Sequence, residues 1–462
     1  MQIKKLFTRK RIILISTISL VFLGGYFLLS FAKENKKAIG IKSLSILSGI
    51  SKFLPLPDDE KKEIETMNKL VEAFTKKDNT EKTFMIFLQN NMELRPGGGF
   101  LGQYAIVKIK NGEIVSSSFE DANLLDRRIQ AKITPPYPFA KLIEVKKWKF
   151  RDSNFSPDFP TNVEKAKYFY QLSGRSGDFD GFVAVNTDVF NDILNITGPI
   201  TVPGYNITFT SRDGALKLEE YVEKRYLMDP DLDTQNRKAI MRQMTPIIIN
   251  KLASLGNISK IAELVHKEFK NRNIMVNFTD PDLQTLIEGV HWDGRVSTDW
   301  SSDYLMMVDA NMGALKTDYY MRREVSYDID LTAERPIATL NILYKNTAPY
   351  GDWRTSDYHT YLRVYVPKGS ELLERQMVSP PITGEDFGKT YFGSIVHVLI
   401  SGETRAMIKY QLPANFDRDG YKLLIQKQSG VGNIPVKIHV KINNGEFNQE
   451  QTLDNDLNFQ FQ

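Results

Sequence analysis

The pattern of apolar and polar positions divides the chain into three textures. Residues 12–32, IILISTISLVFLGGYFLLSFA, are apolar without a charged interruption. That run matches the roughly 20 residues a helix needs to cross a membrane's hydrocarbon core. A second region mixes periods. In DDEKKEIETMNKLVEAFTKK, Ile64, Met67, Leu70, Val71 and Phe74 recur at helical spacing after the break FLPLP, which predicts a helix with an acidic start and a lysine end suited to its dipole. TFMIFLQ, 83–89, predicts a strand buried on both faces. YAIVKIKNGEIVSSSF predicts a hairpin turning at Asn111–Gly112, because that turn takes positive φ at both central residues. Residues 134–160 are irregular, and Thr161 with Glu164 forms a capping-box pattern for a helix that Gly174 can close. DGFVAVN predicts a strand, a short helix starts at Asp188, and GPITVP is extended. From 213 to 272 the periodicity is helical, with a kink expected at Pro246. After Asp303 the texture changes to alternating strands, from DYLMMVDAN to PVKIHVKI, the spacing of an antiparallel β-sandwich.

These textures predict a basic segment at 1–11, a transmembrane helix at 12–32, a helical stalk at 33–82, a mixed-sheet α/β domain at 83–302, an all-β antiparallel sandwich at 303–447 and a polar tail at 448–462. Lys4, Lys5, Arg9, Lys10 and Arg11 outnumber Lys33, Lys36 and Lys37 across the apolar run, so the N-terminus is expected in the cytoplasm and the bulk outside it. Ser30 and Ala32 also fit a signal-peptidase site, but the run exceeds the 7 to 15 residues or so of a signal-peptide core. A retained, single-pass anchor is therefore the expectation.

Composition narrows the chemistry. A chain of 462 residues, 42% hydrophobic and 25% charged, can bury two or three cores. Its net charge of +4 is supplied by the first eleven residues, which argues against a nucleic-acid partner. The absence of cysteine removes disulfides, thiolate nucleophiles and a lipoprotein anchor. The five histidines have no HxH or HxxxH spacing that would make a zinc site.

The stretch ELRPGGGFLGQY, 93–104, lies between two predicted strands. A P-loop or Rossmann turn requires a helix directly after the glycines, so neither fits. What remains open is an anion nest, made by the N–H groups of Gly97 and Gly98 beside Arg95, against a plain turn with an arginine. Arg151 and Asp152 in FRDSNFSPDFP are equally open: they belong to a site, or they fasten an irregular loop.

NNMELRPGGGFLGQY, FRDSNFSPDFP, FDGFVAVNTDVFNDILNITGPITVP, DYLMMVDANMGALKTDYY and TYLRVYVPKGSELL resemble the bacterial DUF4012 family, over about residues 80 to 445. That family implies no activity. Residues 83 to about 290 also resemble the LytR-CpsA-Psr enzymes, anchored phosphotransferases that attach lipid-carried glycopolymers to the bacterial cell wall. The resemblance implies the LytR-CpsA-Psr fold for the α/β domain. It implies a pyrophosphate clamp of Arg95, Arg225, Arg237 and Arg242, with Gly97, Gly98 and Arg151 beside it; Arg95, Asp121 and Arg225 are its catalytic positions, and Asp121 and Asp152 its Mg²⁺ ligands. The partners implied are a polyprenyl-pyrophosphate glycan and a wall polymer. Guanidinium forks suit phosphate oxygens, and Mg²⁺ takes oxygen ligands. The departures are specific: the family's Arg-Ser-Asp-Thr becomes Arg95-Pro96-Gly97-Gly98, Glu120 stands where an arginine precedes the acidic residue, and Glu223 replaces an arginine two residues before Arg225. Three functions follow: an envelope phosphotransferase, a non-catalytic envelope or glycan-lipid binding protein, or a structural surface protein.

Overall fold

The computed structural model describes residues 57–224, 239–252 and 258–461, and the 12–32 span with its flanks lies outside them. Among the described residues no helix is long and apolar enough to cross a membrane. The chain divides into two compact units. Of the described residues, the first comprises those up to Gln89 with Gly102–Leu124 and those within 175–293; the second comprises Asn90–Leu101, Leu125–Gly174 and those from Gly294 onward.

The first unit is built on a five-stranded mixed sheet of β1 (Glu81–Asn90), β2 (Phe100–Lys110), β3 (Glu113–Asp121), β4 (Gly181–Asn186) and β7 (Ile274–Phe278), in the order β3-β2-β1-β4-β7. Strands β1 and β4 are parallel, with Phe84 opposite Gly181 and Gln89 opposite Asn186, and β4 meets β7 antiparallel. The expected hairpin joins β2 to β3, with φ of 50° at Asn111 and 83° at Gly112. The Asp58–Thr75 helix buries the five residues its period predicts, Ile64, Met67, Leu70, Val71 and Phe74. It is no detached stalk: Met67, Leu70, Val71 and Phe74 share one core with Phe84, Val107, Val183 and Val276. A helix with an apolar stripe of this width is stable only where the stripe is covered. Helices Asp188–Thr197, Ala239–Leu252, Ile258–Lys270 and Pro281–Glu288 complete the unit, with Pro246 inside the second of them. Two short strands, β5 (Ile200–Thr201) and β6 (Thr208–Phe209), pair beside a smaller core around Leu194, Phe209, Val222 and Met244.

The second unit is a sandwich of two six-stranded sheets. One runs β12 (Glu371–Gln376), β15 (Glu403–Gln411), β10 (Ile337–Asn346), β9 (Met321–Asp330), β17 (Ile434–Ile442), β18 (Gly445–Leu453). The other runs β13 (Ile382–Asp386), β14 (Lys389–Val398), β11 (Tyr358–Pro367), β8 (Asp303–Val308), β16 (Lys422–Ile425), β19 (Leu457–Gln460). Their inner faces form a single core, including Val325, Leu340 and Ile408 from one sheet and Leu362, Phe392 and Ile425 from the other. Two expectations are corrected. The sandwich is not wholly antiparallel, because β17 lies parallel to β9 and β16 parallel to β8. Residues 448–461 are no polar tail: Leu453 is buried in the core, and Phe447, Leu457, Phe459 and Phe461 pack against it, while residues 448–452 are exposed.

The segments 90–101 and 125–174, expected inside the 83–302 domain, pack with this sandwich unit. Leu94 is part of the sandwich core. The Phe159–Leu172 helix starts earlier than its capping-box pattern predicts. Asp158 is the N-cap and accepts from the Thr161 N–H at 3.0 Å, with Pro160 in the first turn, where no N–H is needed.

Candidate functional site

The glycine loop is held on every side by backbone. Gly97 N–H donates to the Asn154 carbonyl (3.0 Å), Gly98 N–H to the Arg95 carbonyl (2.9 Å) and Phe100 N–H to the Glu93 carbonyl (2.9 Å). Asn154 Nδ2 donates to the Gly99 carbonyl at 2.5 Å, and Asn91 Nδ2 to that of Gly430 at 3.0 Å. A side chain has no room here. A Cβ on Gly430 would run into the Gly98 carbonyl, one on Gly99 into the backbone of Asn90 and Asn91, and one on Gly97 into Asn162. The N–H groups that would make an anion nest are spent inside the protein, and the glycines serve the close approach of chain to chain.

Arg95 is 2% exposed. Its Nη2 donates to Glu93 Oε1 at 2.9 Å, its Nη1 to the carbonyls of Asn311 (3.0 Å) and Leu94 (3.3 Å), and its Nε stands 3.7 Å from Asp152 Oδ1. The guanidinium also lies over the rings of Phe100 and Phe139, 5.4 and 6.0 Å from their centres. Lys316 reaches the other oxygen of Glu93 at 3.7 Å. Burying a guanidinium is costly unless carboxylates and carbonyls surround it, and here they do.

The centre continues outward through alternating charges. Arg151 Nε is 3.6 Å from Asp152 Oδ2 and 3.6 Å from Asp126 Oδ2. Asp126 accepts from Phe150 N–H at 2.9 Å. Burial pushes the Asp126 carboxyl up to about 6, Arg151 opposing that rise and Asp152 adding to it. The structure thus brings together Arg95, Gly97, Gly98, Arg151 and Asp152 of the expected site. It does so as a charge-paired cluster in the second unit, in which Arg95 Nε and Asp126 Oδ2 have ion-pair neighbours and no hydrogen bond, and Arg151 and Asp152 fasten an irregular loop.

The other expected residues lie elsewhere. Asp121 ends β3 in the first unit, where its Oδ1 accepts from Asn123 N–H at 2.8 Å and Nδ2 at 3.0 Å. Glu120 beside it pairs with Arg175 and accepts from the Tyr104 hydroxyl at 2.7 Å. Arg225 and Arg237 fall outside the described residues, as does the side chain of Arg242 on the Ala239–Leu252 helix. The proposed Mg²⁺ ligands do not fit the ion. Mg²⁺ demands near-octahedral oxygen coordination, whereas Asp152 is flanked by two guanidinium groups and the Asp121 Oδ1 closes a turn. Among the described residues no group of three or more His, Asp or Glu is arranged to hold a metal ion.

Several residues of this centre were not anticipated from the sequence. Glu93, two positions before Arg95, is its closest carboxylate. Asp318 accepts from Leu94 N–H (3.0 Å) and Asn311 Nδ2 (2.8 Å), and Arg323 donates to Asp309 (2.8 Å) and Asp318 (3.1 Å). Gln428 Nε2 donates to the carbonyls of Arg95 (3.2 Å) and Asp309 (2.8 Å). Deeper in the sandwich, Asp303 accepts from the hydroxyls of Tyr327 (2.9 Å) and Tyr421 (2.5 Å). Burial pushes its carboxyl up to about 6 despite those donors. In the first unit a groove of about 500 Å³ is lined by Ile207, Thr208, Tyr221 and the lysines Lys217 and Lys224, but each lysine is paired, with Asp213 at 3.1 Å and Glu220 at 2.9 Å.

The loop, the hairpin and the strand-helix-strand that follow are the stretch that similarity picks out. Residues 79–226 match the family "Protein of unknown function (DUF4012)". The DUF4012 match is narrower than the span of motifs in the sequence and ends before the sandwich strands. No curated protein matches this chain. Among solved structures, Lin1025 from Listeria innocua is 18% identical over 46% of this chain and 80% of that chain, with a TM-score of 0.25. The protein gbs0355 from Streptococcus agalactiae is 16% identical over 46% and 74%, with a TM-score of 0.29. TagV from B. subtilis is 14% identical over 46% and 80%, with a TM-score of 0.26. Lin1025 and TagV are LytR-CpsA-Psr structures, the family of the weaker sequence resemblance.

Proposed function

We propose that this chain is a membrane-tethered, extracytoplasmic component of the cell envelope that works by binding and support, without the phosphotransfer of the LytR-CpsA-Psr enzymes. One observation carries this: Arg95, the residue at the family's first phosphate-gripping position, is buried and neutralised by Glu93 and Asp152, and the neighbouring glycine N–H groups are committed to carbonyls. A pyrophosphate needs uncompensated donors at the moment charge develops on the leaving group. Opening this cluster for it would take the shared guanidinium from two buried carboxylates, leaving Glu93 to Lys316 and Asp152 to Arg151. The carboxylate of the family's Arg-Ser-Asp-Thr is also replaced by glycine, which removes the ordinary ligand for the metal.

The test uses the full chain in detergent micelles with Mg²⁺, a polyprenyl-pyrophosphate-linked oligosaccharide as donor and purified wall glycan as the hydroxyl acceptor. Release of polyprenyl phosphate is expected to stay at the level of a protein-free control. Release that disappears in Arg225→Ala would overturn the proposal. Protease added outside intact cells is expected to cut the chain; full protection there, with cleavage after lysis, contradicts the extracytoplasmic placement.

A further inference from the structure

Lysines along the sandwich strands stand opposite carboxylates: Lys345 meets Glu403 at 2.7 Å, Lys437 meets Glu450 at 3.4 Å and Lys441 meets Asp330 at 3.6 Å. One stretch of the second unit departs from that pattern. Residues 127–149 hold seven lysines and arginines against a single acid, Glu144. Arg127, Arg128, Lys132, Lys141, Lys146 and Lys147 are exposed. None of the six has an ion-pair partner among the described residues, whereas Arg151 and Lys167 nearby in the same unit are paired, with Asp126 and Glu164.

The fold gathers these positions into one strip. Trp148 N–H donates to the Ile133 carbonyl at 2.8 Å, which lays Lys132 and Lys147 on adjoining segments. Lys149 Nζ donates to the Asp126 carbonyl at 2.7 Å, which ties the chain at Arg127 to the same segment. Arg128 Nε is anchored on the Ser173 carbonyl at 3.0 Å. The carboxylates beneath, Asp126 and Asp152, are buried and engaged by Arg151. Apolar side chains lie among the cations: Tyr137 is 40% exposed, and Tyr168 and Leu124 are each 41% exposed. Lys141 stands over the Tyr137 ring at 5.9 Å, and Lys165 over the rings of Trp148 and Tyr168 at 4.5 and 5.3 Å. Tyrosine and tryptophan between lysines are the composition of a headgroup layer, where rings meet the acyl boundary and ammonium groups meet phosphate.

We propose that this strip of the second unit, from Arg127 to Trp148 with Tyr168 beside it, docks on a bilayer surface rich in anionic phospholipid. Charge complementarity carries the choice, because exposed cations are drawn to such a surface within about a Debye length, ~10 Å at 0.1 M salt. A linear phosphate polymer would satisfy the lysines equally, but it gives Tyr137, Tyr168 and Leu124 nothing apolar to enter. The inference deepens the envelope proposal and rests on its membrane tether. Residues 33–56, between the apolar run and the first described helix, reach at most about 80 Å when fully extended. An anchored chain therefore cannot set the start of its folded part farther than that from the bilayer.

The test places the full chain in nanodiscs of phosphatidylcholine, alone or mixed with phosphatidylglycerol, and reads amide hydrogen exchange over 126–150. Exchange there is expected to slow by about threefold or more in the anionic discs at about 0.1 M salt, and to recover at about 1 M, where screening shortens to about 3 Å. Lys132→Glu with Lys147→Glu, both at exposed positions, is expected to abolish the slowing. Lys437→Glu with Lys441→Glu, an equal change of charge on β17, is expected to leave it in place. Tyr168→Ala, at an exposed ring of the Phe159–Leu172 helix, is expected to weaken it in part. Equal exchange in the two discs overturns the inference, as does slowing that the strip variant keeps or that the β17 variant loses equally. Slowing that Tyr168→Ala leaves unchanged, or stronger protection by soluble polyphosphate in neutral discs than by the anionic discs, marks a surface for linear polyanions and also overturns it. A chain that does not enter discs sinks the tether alone. Flotation of that soluble chain with vesicles of the same two compositions then reads the strip, and no flotation with the anionic ones sinks the inference.

Discussion

The turn at Asn111–Gly112 and the loop at Gly97–Gly99 are close in sequence and differ in what their glycines are for. At the turn, φ is 50° at Asn111 and 83° at Gly112, and the residues are chosen by local backbone conformation. In the loop, the glycines are chosen by what lies against them: Asn162 beside Gly97, the backbone of Asn90 and Asn91 beside Gly99, and Gly430 against the Gly98 carbonyl. The same contrast separates the two units. The first packs an apolar core between its sheet and the Asp58–Thr75 helix, and one of its buried carboxyls, Glu268, takes a bond from Asn273 Nδ2 at 2.7 Å while burial pushes it up to about 8. The second sets guanidinium–carboxylate clusters into its interior, around Arg95 and around Arg323. A glycine-arginine motif can therefore signal a crowded polar interior as readily as a phosphate grip, and the partners of the arginine decide which.

If the loop is interior structure, its arginine should matter more to stability than anything at the hairpin. Arg95→Met leaves Glu93 to Lys316 alone and Asp152 to Arg151 alone, and the expected loss is about 3 kcal/mol in urea unfolding of the second unit, the low end for breaking a buried pair. A loss below about 1 kcal/mol, the scale of an exposed pair, would break the contrast. Next in size is a pH effect read in the sandwich. The Asp303 carboxyl is raised from 3.8 to about 6 in the folded chain, so its contribution is full below about pH 4 and is lost as pH rises through 6. That window carries about 3 kcal/mol at about 1.4 kcal/mol per pH unit, and Asp303→Asn is expected to flatten the fall relative to the parent. Asp126, raised to about 6 by burial, contributes in the same window, so the difference between parent and variant is the quantity to read. Smallest is Gly112→Ala, where a side chain must accept φ of 83°: about 1 kcal/mol, measured on the first unit.

The elements legible in the sequence were those specified by near neighbours. The Asp58–Thr75 helix follows from the spacing of Ile64, Met67, Leu70, Val71 and Phe74, and the β2–β3 hairpin from two residues. The sandwich strands with an alternating face, such as β9 and β10, were legible for the same reason. Strands β12 and β13 were not, because their side chains are largely exposed and show no alternation. β18 hides similarly behind a run of exposed polar residues. The environment of Arg95 could not be read locally at all, since its partners include Asn311 and Gln428. Glu93 was the available clue, an opposite charge two positions away in the same irregular loop.

The bond from Asn91 to the Gly430 carbonyl spans 339 residues of sequence. During synthesis from the N-terminus, the segment 90–101 emerges long before the strands that enclose it, and it must wait unpaired with its arginine in water. Closure over such a distance slows folding. Under the proposed placement outside the membrane, that delay would keep the second unit loose until its last strands arrive.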